Sequence, residues 1–267
     1  MISDVKSHNR EISVLFIPLY NKVWASSRYR VYNYIPILEN KGIRCEVIEP
    51  PRRNIFARFL YLIRIFIRLN KFHTVFIQKK IFWRFILFLM HKMNPNIIFD
   101  FDDALFARPT SVNDLSFDIE KKQKSLNYTL RKSGKVVVGN QFLKDYAVKQ
   151  NPNVSILPTP VLIHHEECPK KEKSVSVIIG WVGSHENLIY LSKLENVFKK
   201  LQVETNCHFL LKVICDVPFS TDAIHVVNTR WSLDKEYQEL DDIDIGIMPL
   251  LDDEWSKGKC ALKYFNL

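Results

Sequence analysis

Short apolar segments alternate with amphipathic helical segments along nearly the whole chain, and this alternation constrains the fold more than any other feature. Parallel strands must be joined by crossover connections, which are usually helices, so the pattern predicts α/β architecture with parallel sheets. A helix starting at the serines of "SSRYRVYNYIPILENKG" and ending at Gly42 is the first such connection. Six strands are predicted in the first part of the chain, at residues 12–19, 43–49, 74–78, 96–101, 135–139 and 154–157.

A polar stretch, "IHHEECPKKEK" at 163–173, interrupts the alternation and predicts a linker. The pattern then resumes with strands at 175–183, 208–215, 224–228 and 243–250 and helices at 187–202 and 234–242. The sequence therefore predicts an N-terminal Rossmann-like domain at 1–162 and a second one at 174–267. The second domain has about 95 residues where roughly 150 are typical, so we expect it to be incomplete.

The chain is strongly basic, with a formal net charge of +9 over 267 residues. Such a charge favours an anionic partner. The five cysteines contain no CxxC pair, which argues against a disulfide framework or a zinc site. The N-terminus lacks the apolar core of a signal peptide, and no nucleic-acid-binding motif is visible. We therefore expect a cytoplasmic protein that does not bind nucleic acid.

Two basic, aromatic-rich segments at 52–71 and 79–92 have the pattern of amphipathic helices. On a helical wheel Arg53, Arg64 and Arg68 share one sector, and a wide apolar sector lies opposite. Such helices are typical of peripheral attachment to an anionic membrane surface, here the inner membrane face. Helices of an α/β core with solvated arginines would show the same pattern, so both interpretations stay open.

The stretch "IIFDFDDALF" at 97–106 places three acids, Asp100, Asp102 and Asp103, at the end of a predicted buried strand. They could cap the following segment. Asp100 and Asp102 also match the first part of the D-x-D-x-[TV] motif of magnesium-dependent phosphatases, although Ala104 occupies the fifth position. The metal-binding D-x-D of single-domain glycosyltransferases is a further option that the two-domain layout fits badly.

The chain has neither GxGxxG nor GxxxxGK[ST], so the usual phosphate cradles are absent from the sequence. The nearest feature is "IIGWVGS" at 178–184, a predicted strand that ends in Gly183 and Ser184 before a helix. Backbone amides at such a junction can bind a diphosphate. A tight strand-to-helix turn without a ligand would have the same sequence.

The order of the segments "SSRYRVYNYIPILENKGI", "IIFDFDDALF", "VVVGNQFLKDYA", "ILPTPV", "IGWVGSHENLIYL" and "DIGIMPLLDDEWSKGKCALKYF" resembles family-four glycosyltransferases of the GT-B fold, in particular the group 1 transferases of surface-polysaccharide synthesis. The resemblance spans residues 24–266. It implies two Rossmann-like domains, the N-terminal one binding the acceptor and the C-terminal one a nucleotide-diphosphate sugar. It further implies retention of anomeric configuration and no metal or other cofactor.

The resemblance also implies roles for individual residues. Asp102 and Asp103 match the positions near the transferring sugar and are the candidate catalytic residues. Arg28 and Arg30 match the acceptor-binding loop. The candidate donor-binding residues are Gly183, Ser184, Lys259 and Lys263, which we expect on the side of the interdomain cleft opposite the two aspartates.

The sequence departs from the family at several donor-site positions. Many members carry two glutamates eight residues apart, where this chain has Gly258 and Asn266, and the usual Arg and Lys after the diphosphate loop are missing. The sequence predicts a glycosyltransferase acting on a surface-polysaccharide or lipid-linked acceptor. The alternatives are the Asp100/Asp102 magnesium-dependent phosphatase and a non-catalytic remnant that binds nucleotide or membrane.

Overall fold

The computed structural model describes residues 12–51, 54–109, 118–160, 176–205 and 207–260. The chain forms two compact units. The first contains the chain up to Ala107, then Asp118–Thr159 and the short segment Gly258–Cys260, and the second is made mainly of Pro160–Lys257. The predicted linker at 163–173 lies outside the described residues, as does Lys263.

The first unit is built on a six-stranded, fully parallel sheet with strand order β2-β1-β3-β4-β5-β6. Each observed strand falls within the predicted one, which confirms the α/β prediction for this part of the chain. The strands are β1 (Ser13–Ile17), β2 (Arg44–Val47), β3 (Thr74–Gln78), β4 (Ile97–Phe101), β5 (Lys135–Val138) and β6 (Val154–Ile156).

Central strands of this sheet are buried because helices cover the sheet. Ile97, Phe99 and Phe101 on one face of β4 and Asp100 on the other face have no exposed surface, as expected for a parallel strand packed on both faces. None of the described helices is long and apolar enough to cross a bilayer. The helices are α1 (Ala25–Arg30), α2 (Ile35–Glu39), α3 (Ile55–Leu69), α4 (Arg84–Met93), α5 (Ile119–Lys132) and α6 (Gln141–Ala147).

The helix predicted from the serines to Gly42 is broken in two. Val31, at φ −129° and ψ −67°, leaves the helical region after α1, and a 3-10 turn at Tyr32–Tyr34 leads into α2. Pro36 at the start of α2 fits a helix N-terminus because its missing N–H would have no intrahelical partner there. The break leaves α1 as a short helix directly above the end of β1.

The second unit has a four-stranded parallel sheet with order β10-β7-β8-β9 and a core that includes Trp181, Phe198 and Leu211. Ile243 packs against Gly180, where a Cβ would lie 2.3 Å from its Cδ1. The strands are β7 (Ser176–Val182), β8 (His208–Cys215), β9 (His225–Arg230) and β10 (Ile245–Gly246). The helices are α7 (Leu188–Ser192), α8 (Glu195–Glu204) and α9 (Glu254–Lys257).

Three predictions for the second unit were wrong in extent. The helix at 187–202 is interrupted between α7 and α8, and the strand at 243–250 is reduced to the two residues of β10. The helix at 234–242 forms two 3-10 turns instead. In that segment Glu239 and Asp242 both contact the ammonium of the buried Lys212, at 3.2 and 2.8 Å.

Candidate functional site

Polar side chains gather at the carboxyl edge of the six-stranded sheet, which is the usual location of ligand sites in parallel α/β proteins. Gln78 and Lys79 lie at the end of β3, and Asp100, Asp102 and Asp103 lie at the end of the neighbouring β4. We call the three aspartates together with Lys79 the acid cluster. Three cations from separate parts of the chain contact these aspartates: Arg30, Lys79 and Lys259.

Arg30 of α1 forms a buried ion pair with Asp100. Its Nε lies 3.0 and 2.8 Å from the two carboxylate oxygens, and its Nη2 contacts Oδ1. Nη1 donates to the carbonyl of Leu157 at 2.8 Å and to the hydroxyl of Thr159 at 3.2 Å. Burial disfavours the charged guanidinium, but the charge and hydrogen bonds of Asp100 together with the charge of Asp102 outweigh this effect and raise the pKa of Arg30. Arg30 therefore connects β4 to the chain after β6.

Lys79 holds the other two aspartates. Its Nζ lies 2.9 Å from Asp102 and also bonds to Asp103. Burial disfavours its charge, but Asp102 and Asp103 together raise its pKa above the ordinary value. Lys79 has a φ of 56°, a left-handed conformation that is uncommon outside glycine, and its backbone N–H donates to the carbonyl of Asp100 at 2.7 Å. Such backbone strain is common at functional sites.

The segment Gly258–Cys260 packs directly on the acid cluster. The ammonium of Lys259 lies 3.4 Å from Asp103, and the thiol of Cys260 donates to the carbonyl of Asp102 at 3.2 Å. Burial disfavours the carboxylate of Asp103, but Lys79 and Lys259 outweigh this effect and lower its pKa. Burial, with a smaller contribution from the charge of Asp102, raises the pKa of Cys260 to about 12. Lys79 and Asp103 therefore form a charged pair that is largely closed to solvent, whereas burial raises the pKa of Asp100.

Two glycines allow this close approach. A Cβ on Gly139 would lie 2.0 Å from the Cys260 sulfur, and a Cβ on Gly258 would lie 2.4 Å from the backbone nitrogen of Ala104. Asn140 caps α6 through its side-chain oxygen and donates from Nδ2 to the carbonyl of Lys259 at 3.2 Å. The structure thus corrects the expected position of Lys259, which contacts Asp103 instead of lying on the opposite side of a cleft.

Arg28 and Arg30, the predicted acceptor-binding residues, both lie at this sheet edge and are largely buried. Arg28 donates from Nη1 to the carbonyl of Val23 at 3.1 Å and stacks 5.0 Å from the ring centre of Tyr29. Ser27, between them and the sheet, donates to the side chain of Gln78 at 3.0 Å. These contacts indicate that α1 is held rigidly against the ends of β1 and β3.

Gly183 and Ser184 follow β7 in the second unit. Gly183 donates to the carbonyl of Ile214 at 3.1 Å, and Ser184 accepts from the side chain of Asn187 at 2.8 Å. The next residue, His185, forms two hydrogen bonds with Asp216, which follows β8. Its backbone N–H donates at 3.0 Å, and its Nδ1 lies 2.6 Å from the carboxylate.

The pair of His185 and Asp216 was not predicted from the sequence. The side-chain hydrogen bond of His185 to the carboxylate of Asp216 is the main reason that the pKa of His185 is raised, with a further contribution from the charge of Glu186. The signal in the sequence was a polar residue within two positions of the end of each of two predicted strands. Lys79 was also not predicted as a site residue, because the segment "IQKK" at 77–80 resembles the solvated end of an ordinary strand.

The contacts of Asp100 bear on the phosphatase alternative. A nucleophilic carboxylate must reach its substrate, but Asp100 has no exposed surface and its oxygens are occupied by Arg30. Within the described ranges, no group of three or more His, Cys, Asp or Glu side chains has an arrangement that could hold a metal ion. The geometry gives Asp100 a structural role and disfavours its use as a nucleophile.

No family model and no curated protein matches this sequence. Solved structures do match. The chain resembles an alpha-glucosyltransferase solved with UDP and a 13-mer DNA, with a TM-score of 0.56, 7% identity and coverage of 92% of this chain and 74% of that one. It also resembles the catalytic domain of starch synthase IV from Arabidopsis thaliana bound to ADP and acarbose, with a TM-score of 0.56, 9% identity and coverage of 88% and 77%.

A third match is a glycosyltransferase from Rickettsia africae, with a TM-score of 0.51, 14% identity and coverage of 89% of this chain and 72% of that one. These likenesses extend over most of the chain, including both parallel sheets. They show that the chain has the fold of GT-B glycosyltransferases, as the sequence predicted.

Proposed function

We propose that this protein is a glycosyltransferase that moves a sugar from a nucleotide-diphosphate donor to a surface-polysaccharide or lipid-linked acceptor. The observation that carries the proposal is the fold shared over about nine tenths of the chain with glycosyltransferases solved with UDP or ADP. In the proposed reaction the anomeric configuration is retained and no metal or other cofactor takes part.

The first unit supplies the proposed catalytic residues. Asp103 is the more accessible of the two aspartates, with 19% of its side chain exposed, and two lysines hold it in place. A carboxylate at this position stabilises the positive charge that develops on the transferring sugar. Asp102 shares Lys79 with it, while Arg28 and Arg30 position this edge of the sheet for the acceptor.

The second unit supplies the proposed donor site. A departing diphosphate needs hydrogen-bond donors or cations. Gly183 and Ser184 follow β7 at the carboxyl edge of the second sheet, where such a ligand binds in related architectures. Lys263 is a further donor-binding candidate from the sequence. Lys259 neutralises Asp103 and is proposed to contact the donor phosphates only when that ion pair opens.

Two helices of the first unit support a lipid-linked acceptor on an anionic membrane surface. α3 follows β2 and α4 follows β3 in a parallel sheet. Both helices therefore begin at the carboxyl edge of the sheet, which is the edge that carries the acid cluster. Ile55 and Trp83 near these helix starts are 86% and 85% exposed, and Phe56, Phe59 and Phe85 are exposed as well. Arg58 and Arg84 beside them are also exposed. Exposed aromatic and basic side chains together are typical of a membrane-facing surface.

The donor proposal predicts that the protein binds at least one common sugar nucleotide and releases the nucleoside diphosphate when a suitable acceptor is added. Calorimetric titration with UDP-glucose and ADP-glucose tests binding, and NMR of the product tests whether the anomeric configuration is retained. An acceptor panel of lipid-linked glycan, soluble glycan and DNA separates the acceptor classes. Absence of binding to any sugar nucleotide would contradict the proposal.

The membrane proposal predicts binding to vesicles that contain anionic lipid, with release as salt is added, because salt screens exposed charges. Trp83→Ser should weaken this binding severalfold, since it removes apolar surface from the membrane-facing side. Val203→Ser is the matched control, because Val203 is equally exposed but lies on α8 of the second unit. Cosedimentation with vesicles measures both, and equal losses in the two variants would argue against a specific surface.

A further inference from the structure

The ammonium of Lys80 lies over two aromatic rings beside the membrane-facing surface. Its Nζ is 4.3 Å from the ring centre of Tyr61 on α3 and 5.7 Å from that of Phe82. Lys80 is half-buried there, although it directly follows Lys79 of the acid cluster. The two lysines therefore point to different surroundings, one to carboxylates and the other to aromatic rings.

Arg58 is a second positive charge close to Lys80. It precedes Tyr61 by three residues on α3, so the two side chains share a helix face. Burial and the charge of Arg58 lower the pKa of Lys80 to about 8. In the part of the chain that the structure describes, no carboxylate lies within 4.0 Å of either cation. Two neighbouring cations without a counter-charge repel each other.

The hydroxyl of Tyr61 is a further unpaired group. Tyr61 is only 7% exposed, and its hydroxyl has no hydrogen-bond partner among the described residues. A buried hydroxyl that donates to nothing destabilises the fold. Glu49 is the last acidic residue before Tyr61 in the sequence. Its carboxylate accepts a hydrogen bond from the hydroxyl of Tyr32 at 2.9 Å. This unpaired hydroxyl belongs to the ring that the Lys80 ammonium covers.

The surrounding sequence supplies no counter-charge. Residues 50–99 contain ten Lys or Arg residues and neither Asp nor Glu. A bound anion would supply the counter-charge that this part of the sequence lacks.

We infer that Arg58, Lys80 and the hydroxyl of Tyr61 form a binding site for a phosphate group. Phosphate oxygens accept charge-assisted hydrogen bonds from guanidinium and ammonium groups and also accept from a hydroxyl. The phosphate can belong to a lipid headgroup or to a soluble compound. This site goes beyond the proposed sugar transfer and does not depend on it.

Binding to this site should depend on pH. Phosphate stabilises the charged form of Lys80, so the contribution of Lys80 to affinity is present below about pH 8 and is lost as Lys80 deprotonates above it. Burial raises the pKa of Tyr61, so the phenol keeps its proton across this range. The other ionisable groups recorded around the site are Arg58, Tyr32 and Glu49.

The test is titration of the whole protein with inorganic phosphate and with glycerol phosphate at constant ionic strength, at pH 7. We expect Lys80→Gln and Tyr61→Phe each to weaken binding about tenfold, the scale of a hydrogen bond to a charged group. Tyr61→Phe keeps the ring and removes the unpaired hydroxyl, so it should fold at least as well as the wild type. Lys92→Gln, the same charge change at the far end of α4, should alter affinity less than about twofold.

A second measurement with phosphatidylglycerol vesicles distinguishes the two sources of phosphate. If a lipid headgroup occupies the site, Tyr61→Phe weakens vesicle binding as well as phosphate binding. If a soluble phosphate occupies it, Tyr61→Phe weakens phosphate binding alone. The inference would be overturned if the wild-type protein bound neither phosphate nor vesicles. It would also be overturned if Tyr61→Phe bound phosphate and vesicles as tightly as the wild type does.

Discussion

Replacing Asp103 with Asn should reduce the rate of sugar transfer by about 10²-fold or more, the scale of removing one charge-stabilising group from a reacting centre. Nucleotide binding should be retained or strengthened, because the substitution releases Lys259, which is proposed to contact the donor phosphates, from its ion pair with Asp103. Lys79 and Lys259 will lose one anionic partner, but Asp102 still neutralises Lys79 at 2.9 Å. The measurement is the transfer rate at saturating donor, together with calorimetric titration of the nucleotide.

Two further variants serve as controls for the Asp103→Asn experiment. Asp252→Asn makes the same chemical change at a carboxylate whose side chain is 91% exposed, and it should leave both transfer and binding unchanged. Lys263→Ala, at the predicted donor site, should weaken nucleotide binding by about 1.5 to 3 kcal/mol. If Asp103→Asn instead abolished nucleotide binding and Lys263→Ala did not, the acid cluster would be the phosphate site and the assignment of roles would be wrong.

Replacing Arg30 with Met should destabilise the first unit by about 3 to 5 kcal/mol, the cost of leaving a buried charge without its partner. Asp100 has no exposed surface, so water cannot replace the guanidinium. The variant also removes the hydrogen bonds from Arg30 to Leu157 and Thr159, which join β4 to the chain after β6. Urea unfolding followed by circular dichroism measures the effect.

The matched control is Arg64→Met. Arg64 also pairs with an acid, Glu46 at 3.7 Å, but its side chain is 58% exposed, so the loss should stay below about 1 kcal/mol. The double variant Arg30→Met/Asp100→Leu should recover much of the lost stability, because it removes the uncompensated charge. A double variant as unstable as Arg30→Met alone would show that packing of the arginine, and not the buried charge, explains the effect.

The sequence alone was sufficient to predict the first sheet. Its strands are predominantly apolar segments such as "IIFDF" and "KVVV", which are typical of strands buried on both faces. Polar residues or proline flank these segments and mark where the strands end. The position of Asp102 and Asp103 followed from the same pattern, because residues directly after parallel strands gather at one edge of the sheet. The GT-B type of fold was implied by the resemblance of the ordered segments to family-four glycosyltransferases.

Only the tertiary structure decided which charges meet at that edge. The contact between Cys260 and Asp102 joins residues 158 positions apart, and Lys79 reaches both aspartates from a left-handed backbone conformation that no local pattern indicates. The pairing of His185 with Asp216 likewise joins residues that are distant in sequence. Apolar periodicity determines which residues are buried, whereas ion pairs depend on where separate strands end in space, so the sequence predicted the sheet and the structure determined the site.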